Sequence, residues 1–358
     1  MRKFLKTVKP LYYLLIGLPL ALLGDLLGWN QTFNFVAACV GLIPLAGLIG
    51  EATEALAQVT GPRIGGLLNA TLGNAAELII TIVAIRAGLL DLVKASITGS
   101  IIGNLLLVLG FSVLLGGLKN GTQRFSRAHA ATNATMLVLA VVALCVPSLF
   151  NHTLTGKAMP AGAVEAISLG VAVVMMVLYA LGLVFSLRSD TSLERAGGVP
   201  SEAPRWPLRT ALIMLAAATV GVVWLSEILV RSVEAVMASS GLSEFFLGII
   251  LIPIIGNVAE HLVAVQVALK NKMELSLEIA LGSSLQIALF VAPVLVFVSL
   301  IFGQQLNLVF NQFELLALVA AVLVAALVSS DGETHWLEGA QLTAVYLILA
   351  VAFFFLPA

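Results

Sequence analysis

Two glutamates sit where carboxylates are costly to place. Glu77 lies in GNAAELII (73–80) and Glu260 in GNVAEHLV (256–263), each inside a long apolar run. In both stretches an asparagine stands three residues earlier, Asn74 before Glu77 and Asn257 before Glu260. On a helix that spacing puts amide and carboxylate on one face. Gly73 and Gly256 lie one turn before the glutamates, and Pro253 frees a backbone carbonyl and invites a kink. Such a carbonyl is tolerated at membrane depth where it lines a cavity. A glutamate at the centre of a membrane helix costs on the order of 3 kcal/mol, so two at matching positions imply an offsetting interaction. Two carboxylates, two amide oxygens and freed carbonyls form an all-oxygen donor set. It suits a hard cation, above all Ca2+, which takes about 6–8 oxygens. Sulfur and imidazole ligands are not arrayed here, which argues against zinc or copper. Two like charges in low dielectric cannot both stay ionised once the metal has left. Protons and a divalent cation would then compete for the same oxygens, which is a physical basis for exchange.

A second pair of motifs follows. Gly99-Ser100 and Gly282-Ser283-Ser284 each lie 26 residues after the first motif, with Asn104 and Gln286 about one turn further on. Small residues there permit close helix packing, and the serines are open between packing and the ion site. An amide in apolar surroundings wants a partner, and the glutamates or the ion are the expected partners of Asn104 and Gln286. His261 follows Glu260 but points about 100° around the helix. It reads equally as a proton-handling or gating group and as a packed histidine. Glu54, Glu227 and Glu234 are candidates for an ion path or for solvated interface positions. The stretch SDGETHWLEG (330–339) reads as an interfacial loop. Cys39 and Cys145 lie in apolar runs and read as small core residues. No Ser/His, Asp/Asp or HExxH constellation supports an enzyme.

The elements that must carry these residues are membrane helices. Of 358 residues, 60% are hydrophobic and 10% charged, and the mean hydropathy is +1.08. A soluble chain of this size needs more charge to cover its surface. Apolar runs long enough to span a bilayer fall at about 11–28, 33–58, 64–86, 91–117, 128–150, 161–187, 208–238, 244–269, 274–302, 313–330 and 337–356. The segment 188–207 is rich in Gly, Pro and charge and reads as a linker. No basic, aromatic-interleaved runs point to nucleic acid. With the N-terminus in the cytoplasm, 14 of the 18 Lys and Arg fall on the cytoplasmic side and three on the other.

The chain also repeats. Shifted by 183 positions, Gly73, Asn74, Ala76 and Glu77 fall on Gly256, Asn257, Ala259 and Glu260; Gly99 and Ser100 fall on Gly282 and Ser283. Each half then holds five spans. An odd number forces the second half to enter the membrane from the opposite side, an inverted repeat as in many secondary transporters. The expected fold is an all-α polytopic membrane protein of eleven transmembrane helices. An N-terminus and extra first helix (1–32) precede a five-helix repeat (33–187), a cytoplasmic linker (188–207) and a second five-helix repeat (208–358).

These residues resemble the calcium/cation antiporter superfamily and, within it, the calcium/proton exchanger branch. GGLLNATLGNAAELII (65–80) and PIIGNVAEH (253–261) resemble its two alpha repeats. GSIIGNLLLVLG (99–110) and GSSLQIALFVAP (282–293) resemble the segments that follow them. The resemblance implies an antiporter, not an enzyme, that exports cytosolic Ca2+ against proton entry by alternating access at a midplane two-glutamate site. It implies Ca2+ held by Glu77 and Glu260, with help from Asn74, Asn257, backbone carbonyls and the Ser/Gln segment. It also implies a cation-path role for Glu54 and sets His261 on a family histidine. Coupling to Na+ or K+ and a passive cation channel remain the alternatives. No cofactor is implied beyond the transported ions. The partners are the lipid bilayer and Ca2+, with Mn2+ or other divalents and a homo-oligomer left open. A long acidic helix between the halves and a long N-terminal extension, common among relatives, are missing. The expected location is a prokaryotic plasma (inner) membrane, N-terminus inside and C-terminus outside.

Overall fold

The computed structural model describes residues 10–154, 162–188 and 206–356. Eleven apolar helices follow one another: α1 Leu11–Leu26, α2 Gln31–Thr60, α3 Ile64–Arg86, α4 Leu90–Asn120, α5 Arg127–Asn151, α6 Ala163–Ser186, α7 Leu208–Ser240, α8 Glu244–Leu269, α9 Met273–Ile301, α10 Gln312–Val328 and α11 Trp336–Phe355. Nine of them are long and apolar enough to cross a bilayer; α1 and α10 are shorter. Most of the expected linker lies outside the described residues. So do Arg2, Lys3, Lys6, Lys9, Lys157, Arg195 and Arg205, on which part of the charge bias rests, and the linker acids Asp190, Glu194 and Glu202.

The stretch 330–339 does more than connect two helices. Glu333–Thr334 (β2) pairs antiparallel with Gln123–Arg124 (β1), Gln123 opposite Thr334 and Arg124 opposite Glu333. Arg124 Nε meets Glu333 Oε1 at 2.9 Å across this ribbon. Gln123 Nε2 also donates to the Ala268 carbonyl at 2.9 Å, which satisfies one of the bare carbonyls at the end of α8.

The chain divides into two compact units that do not follow the sequence halves. The first takes residues 1–87, 182–244 and 255–259, and so holds α1, α2, α3, α7 and one segment of α8. Here α1 crosses α2 closely: a Cβ on Gly17 would stand 2.5 Å from the Gly41 nitrogen. Helices α2 and α7 meet where Leu45 covers Gly221. Arg231 reaches Asp25 at 3.1 Å, tying α7 to α1.

The second unit takes 88–181, 245–254 and 260–358. Its core helix is α4. Gly110 and Gly117 of α4 and Gly339 of α11 leave no room for side chains, so the two backbones lie against each other. Gly99 of α4 faces the Ile249 carbonyl of α8, where a Cβ would collide with the oxygen. That carbonyl is the one Pro253, four residues on, cannot hydrogen-bond. The helix widens into a π turn over Leu247–Leu251 to absorb the proline. The freed carbonyl therefore packs on a glycine.

Candidate functional site

In the first unit α3 is interrupted at its motif. One segment, Pro62–Leu72, ends at Gly73, and a second, Ala75–Arg86, starts with Asn74 at its N-cap. Glu77 falls in the first turn of that second segment. A helix start carries partial positive charge from its open N–H groups, which favours a carboxylate there. Glu77 is 1% exposed and Asn74 4%. Asn257, 3% exposed, points its Nδ2 at Glu77 Oε2 at 3.5 Å. Gly256 lies directly over the same side chain; a Cβ on it would stand 3.8 Å from the Glu77 Cβ. One turn on, Thr81 donates to the Glu77 carbonyl at 2.8 Å. The structure thus brings together Asn74, Glu77, Gly256 and Asn257.

The other acidic candidates of this unit have more open surroundings. Glu54 of α2 is exposed. Glu227 of α7 pairs with Arg86 at 3.4 Å, while Glu234 is exposed near the end of α7.

In the second unit Glu260 accepts a hydrogen bond from Ser283 of α9. Its Oε2 is enclosed yet meets no donor. An enclosed, unmatched oxygen costs about 1–3 kcal/mol, more when charged. His261, the next residue, faces Asn104 of α4, Nε2 to Oδ1 at 3.3 Å. Asn104 was expected to meet a glutamate or the ion. Its oxygen is instead taken by the histidine, because α8 turns residue 261 toward α4. The Asn104 Nδ2 is enclosed without a partner. Ser100 and Ser283 are buried and Gln286 is half-buried. Gly282 has open space where a Cβ would stand, unlike Gly99.

Asn104 lies within a π turn, Gly103–Val108 in α4, and Gln286 directly precedes another, Ile287–Val291 in α9. These occupy matching places in the two halves. A π turn leaves backbone groups less tightly bonded and recurs at functional positions. Hydrophobic runs carry no sign of it. Among the described residues no three His, Cys, Asp or Glu side chains converge as a metal cluster. Each cluster by itself offers carboxylate and amide or hydroxyl oxygens, donors of the hard kind.

Known proteins place this arrangement. Residues 31–188 and 210–355 match the sodium/calcium exchanger protein family. A Ca2+/H+ antiporter of Aphanothece halophytica is 46% identical over 359 residues, 96% of each chain. The Ca2+/H+ antiporter ChaA of Bacillus subtilis is 43% identical over 97% of this chain and 99% of its own. The solved structure of native YfkE superposes with a TM-score of 0.84 at 42% identity, covering 97% of this chain and 100% of that one. The H+/Ca2+ exchanger CAX, at 15% identity and a TM-score of 0.71, shares the fold. With a family match over both halves and relatives above 40% identity along nearly its whole length, the chain belongs to the sodium/calcium exchanger protein family.

Proposed function

We propose that the chain is a secondary antiporter exchanging Ca2+ for H+ across a membrane, and that it exports Ca2+ from the cytoplasm. The observation that carries the reaction is the 43–46% identity, over nearly the full length, to Ca2+/H+ antiporters of three bacteria. The sodium-calcium exchanger structures it resembles are only 17–18% identical and speak for the fold alone.

In the mechanism we infer, Ca2+ is the substrate and Glu77 and Glu260 are its two charged ligands. Asn74, Asn257, Ser100, Ser283 and Gln286 add neutral oxygens. Several oxygens must replace the ion's water, and about 6–8 are needed. When Ca2+ leaves, the two carboxylates lose their counter-charge. A carboxylate in apolar surroundings then takes a proton rather than stay bare. Release of Ca2+ on one side is thereby tied to proton uptake, and proton release to the next Ca2+. The unmatched Oε2 of Glu260 supports this role, since it offers a lone pair to either cation. His261 shapes the site through Asn104, and Glu54 lies along the cation's route. The two halves work as inverted repeats, the N-terminus faces the cytoplasm and the C-terminus lies outside. The membrane is a prokaryotic plasma membrane.

The test is Ca2+ flux in proteoliposomes driven by a pH gradient with neither Na+ nor K+ present. Saturable uptake that collapses with the gradient is expected. Flux that persists without the gradient would mean a channel, and flux that needs Na+ or K+ would mean another coupling ion.

A further inference from the structure

A third buried carboxylate lies in the second unit, away from both motifs. Glu314, in the first turn of α10, is 3% exposed. Its Oε2 accepts from the Asn311 N–H at 2.8 Å, while Asn311 Oδ1 accepts from the Glu314 N–H at 2.8 Å. This is a capping box, and it accounts for those two bonds. It does not account for the rest. Thr98 of α4, fully buried, donates to the other oxygen of Glu314 at 3.2 Å. On the same face of α4, Lys94 lies one turn before Thr98, with its side chain 18% exposed. Lys94 pairs at 3.3 Å with Asp91, whose side chain is 82% exposed. Ionisable groups thus lie along the start of α4 from solvent at Asp91 to Lys94, and both charges act on Glu314.

We propose that Glu314 is a proton-carrying carboxylate that loads protons from the face of the protein bearing Asp91. The inference rests on the exchange reaction proposed above and names a residue outside its Ca2+ site.

Its surroundings suit both protonation states. Ionised, Glu314 accepts from Thr98 and from the Asn311 N–H. Protonated, its O–H turns and donates to the Thr98 oxygen, which has lone pairs to spare. An O–H bond forms on Glu314, the hydrogen bond with Thr98 reverses its direction, and the Thr98 hydrogen turns to a backbone carbonyl one turn back in α4. The charged groups acting on Glu314 are Lys94 and Asp91, both on α4. Helix α5 meets this end of α10 through Ser148, whose Oγ accepts from the Phe310 N–H at 2.9 Å. Among the described side chains of α5 the ionisable ones are Arg127 and His129, at its other end, about 28 Å away at 1.5 Å per residue. Helix α11 carries Glu338 in its first turn, beside the far end of α10. The place is also one-sided. Shifting Asn311 and Glu314 by the repeat offset gives Ala128 and Ala131, so the other half has neither cap nor carboxylate.

The full-length protein in proteoliposomes tests this, with pH varied on one face while the other is held. E314Q keeps an acceptor for the Asn311 N–H and an amide for Thr98, so it preserves the cap but cannot carry a proton. It is expected to flatten the dependence of Ca2+ flux on the pH of one face and leave the other face's dependence intact. At acidic pH on that face its rate should fall to about a tenth of the wild-type rate, the gain that roughly one pH unit brings to a proton-loading site. E314D, which can still carry a proton, should restore the dependence. A folded E314Q with the wild-type dependence on both faces would show that Glu314 only caps α10 and overturn the proposal. If wild-type protein itself moves no Ca2+ under a pH gradient, the exchange reaction fails and this assignment with it.

Discussion

Helices α3 and α8 carry one motif in two different backbones. In α3 the helix breaks at Gly73–Asn74, inside the motif, and restarts at Ala75. In α8 the dislocation lies earlier, as a π turn at Leu247–Leu251, and the helix then runs unbroken through Gly256 and Asn257. One residue explains much of the difference. Pro253 of α8 removes a hydrogen bond one turn before the motif, and its counterpart in α3 is Ala70. Without a proline the interruption settles at Gly73–Asn74, where Asn74 leaves the helical region at φ −100°, ψ 26°. The consequence reaches the carboxylates. Glu77 sits in the first turn of a new helix and takes support from its N-terminus. Glu260 sits within a continuous helix, takes a hydroxyl from Ser283, and keeps one oxygen unmatched. Duplicated residues need not be duplicated environments.

The largest effects should come from the two carboxylates, and they test whether the helices contribute equally despite their backbones. Glu77→Gln and Glu260→Gln each remove one charge from a buried ion site, a change of about 3–5 kcal/mol. Each should lower pH-driven Ca2+ flux by two orders of magnitude or more, with folding intact by gel filtration. A large loss in one and near-normal flux in the other would break the equivalence.

Asn257→Ala should come next. It removes the amide facing Glu77 and should raise the KM for Ca2+ about tenfold, near the 1.5 kcal/mol upper end for such a bond. Ser283→Ala makes the matching change at Glu260. A similar rise in KM would show that amide and hydroxyl play the same part on the two helices.

Paired glycines sharpen the comparison through stability. Gly99→Ala drives a methyl into the Ile249 carbonyl and should destabilise by about 1–3 kcal/mol. Gly282→Ala points into open space and should leave the melting temperature unchanged. Equal melting shifts in the two variants would contradict the packing described. The smallest loss of stability is expected from Asn104→Ala, which takes the partner from His261 and should cost about 1 kcal/mol. Unaltered denaturant midpoints would show that the bond contributes nothing.

Much of this was legible in the residue order. Apolar length marked the helices, and the 183-residue offset picked out Glu77 and Glu260 with their asparagines. What stayed hidden depends on tertiary approach. The π turns leave no trace in hydrophobic periodicity, because inserting one residue into a uniformly apolar helix alters no pattern. That Asn104 meets His261 rather than a glutamate follows from how α8 turns against α4. Gly99 read as a small packing residue; its partner, a carbonyl loosened by a proline 154 residues away, could not be read from either segment alone. The compact units cut across the sequence halves because α2 and α7, which correspond under the repeat offset, pack on each other. The Asn311-x-x-Glu314 cap was visible as a motif, but nothing in the order linked it to Thr98.

The central claim is that two copies of one motif jointly hold one ion. Equilibrium binding of radiolabelled Ca2+ to the purified protein tests it most directly, comparing wild type with Glu77→Gln and Glu260→Gln. The account predicts one Ca2+ per chain at this site, and for each variant a Kd weaker by at least about 100-fold, the 3 kcal/mol of a lost buried charge. Two ions bound in wild type and one in each variant, at unchanged affinity, would contradict it, because each glutamate would then hold its own ion.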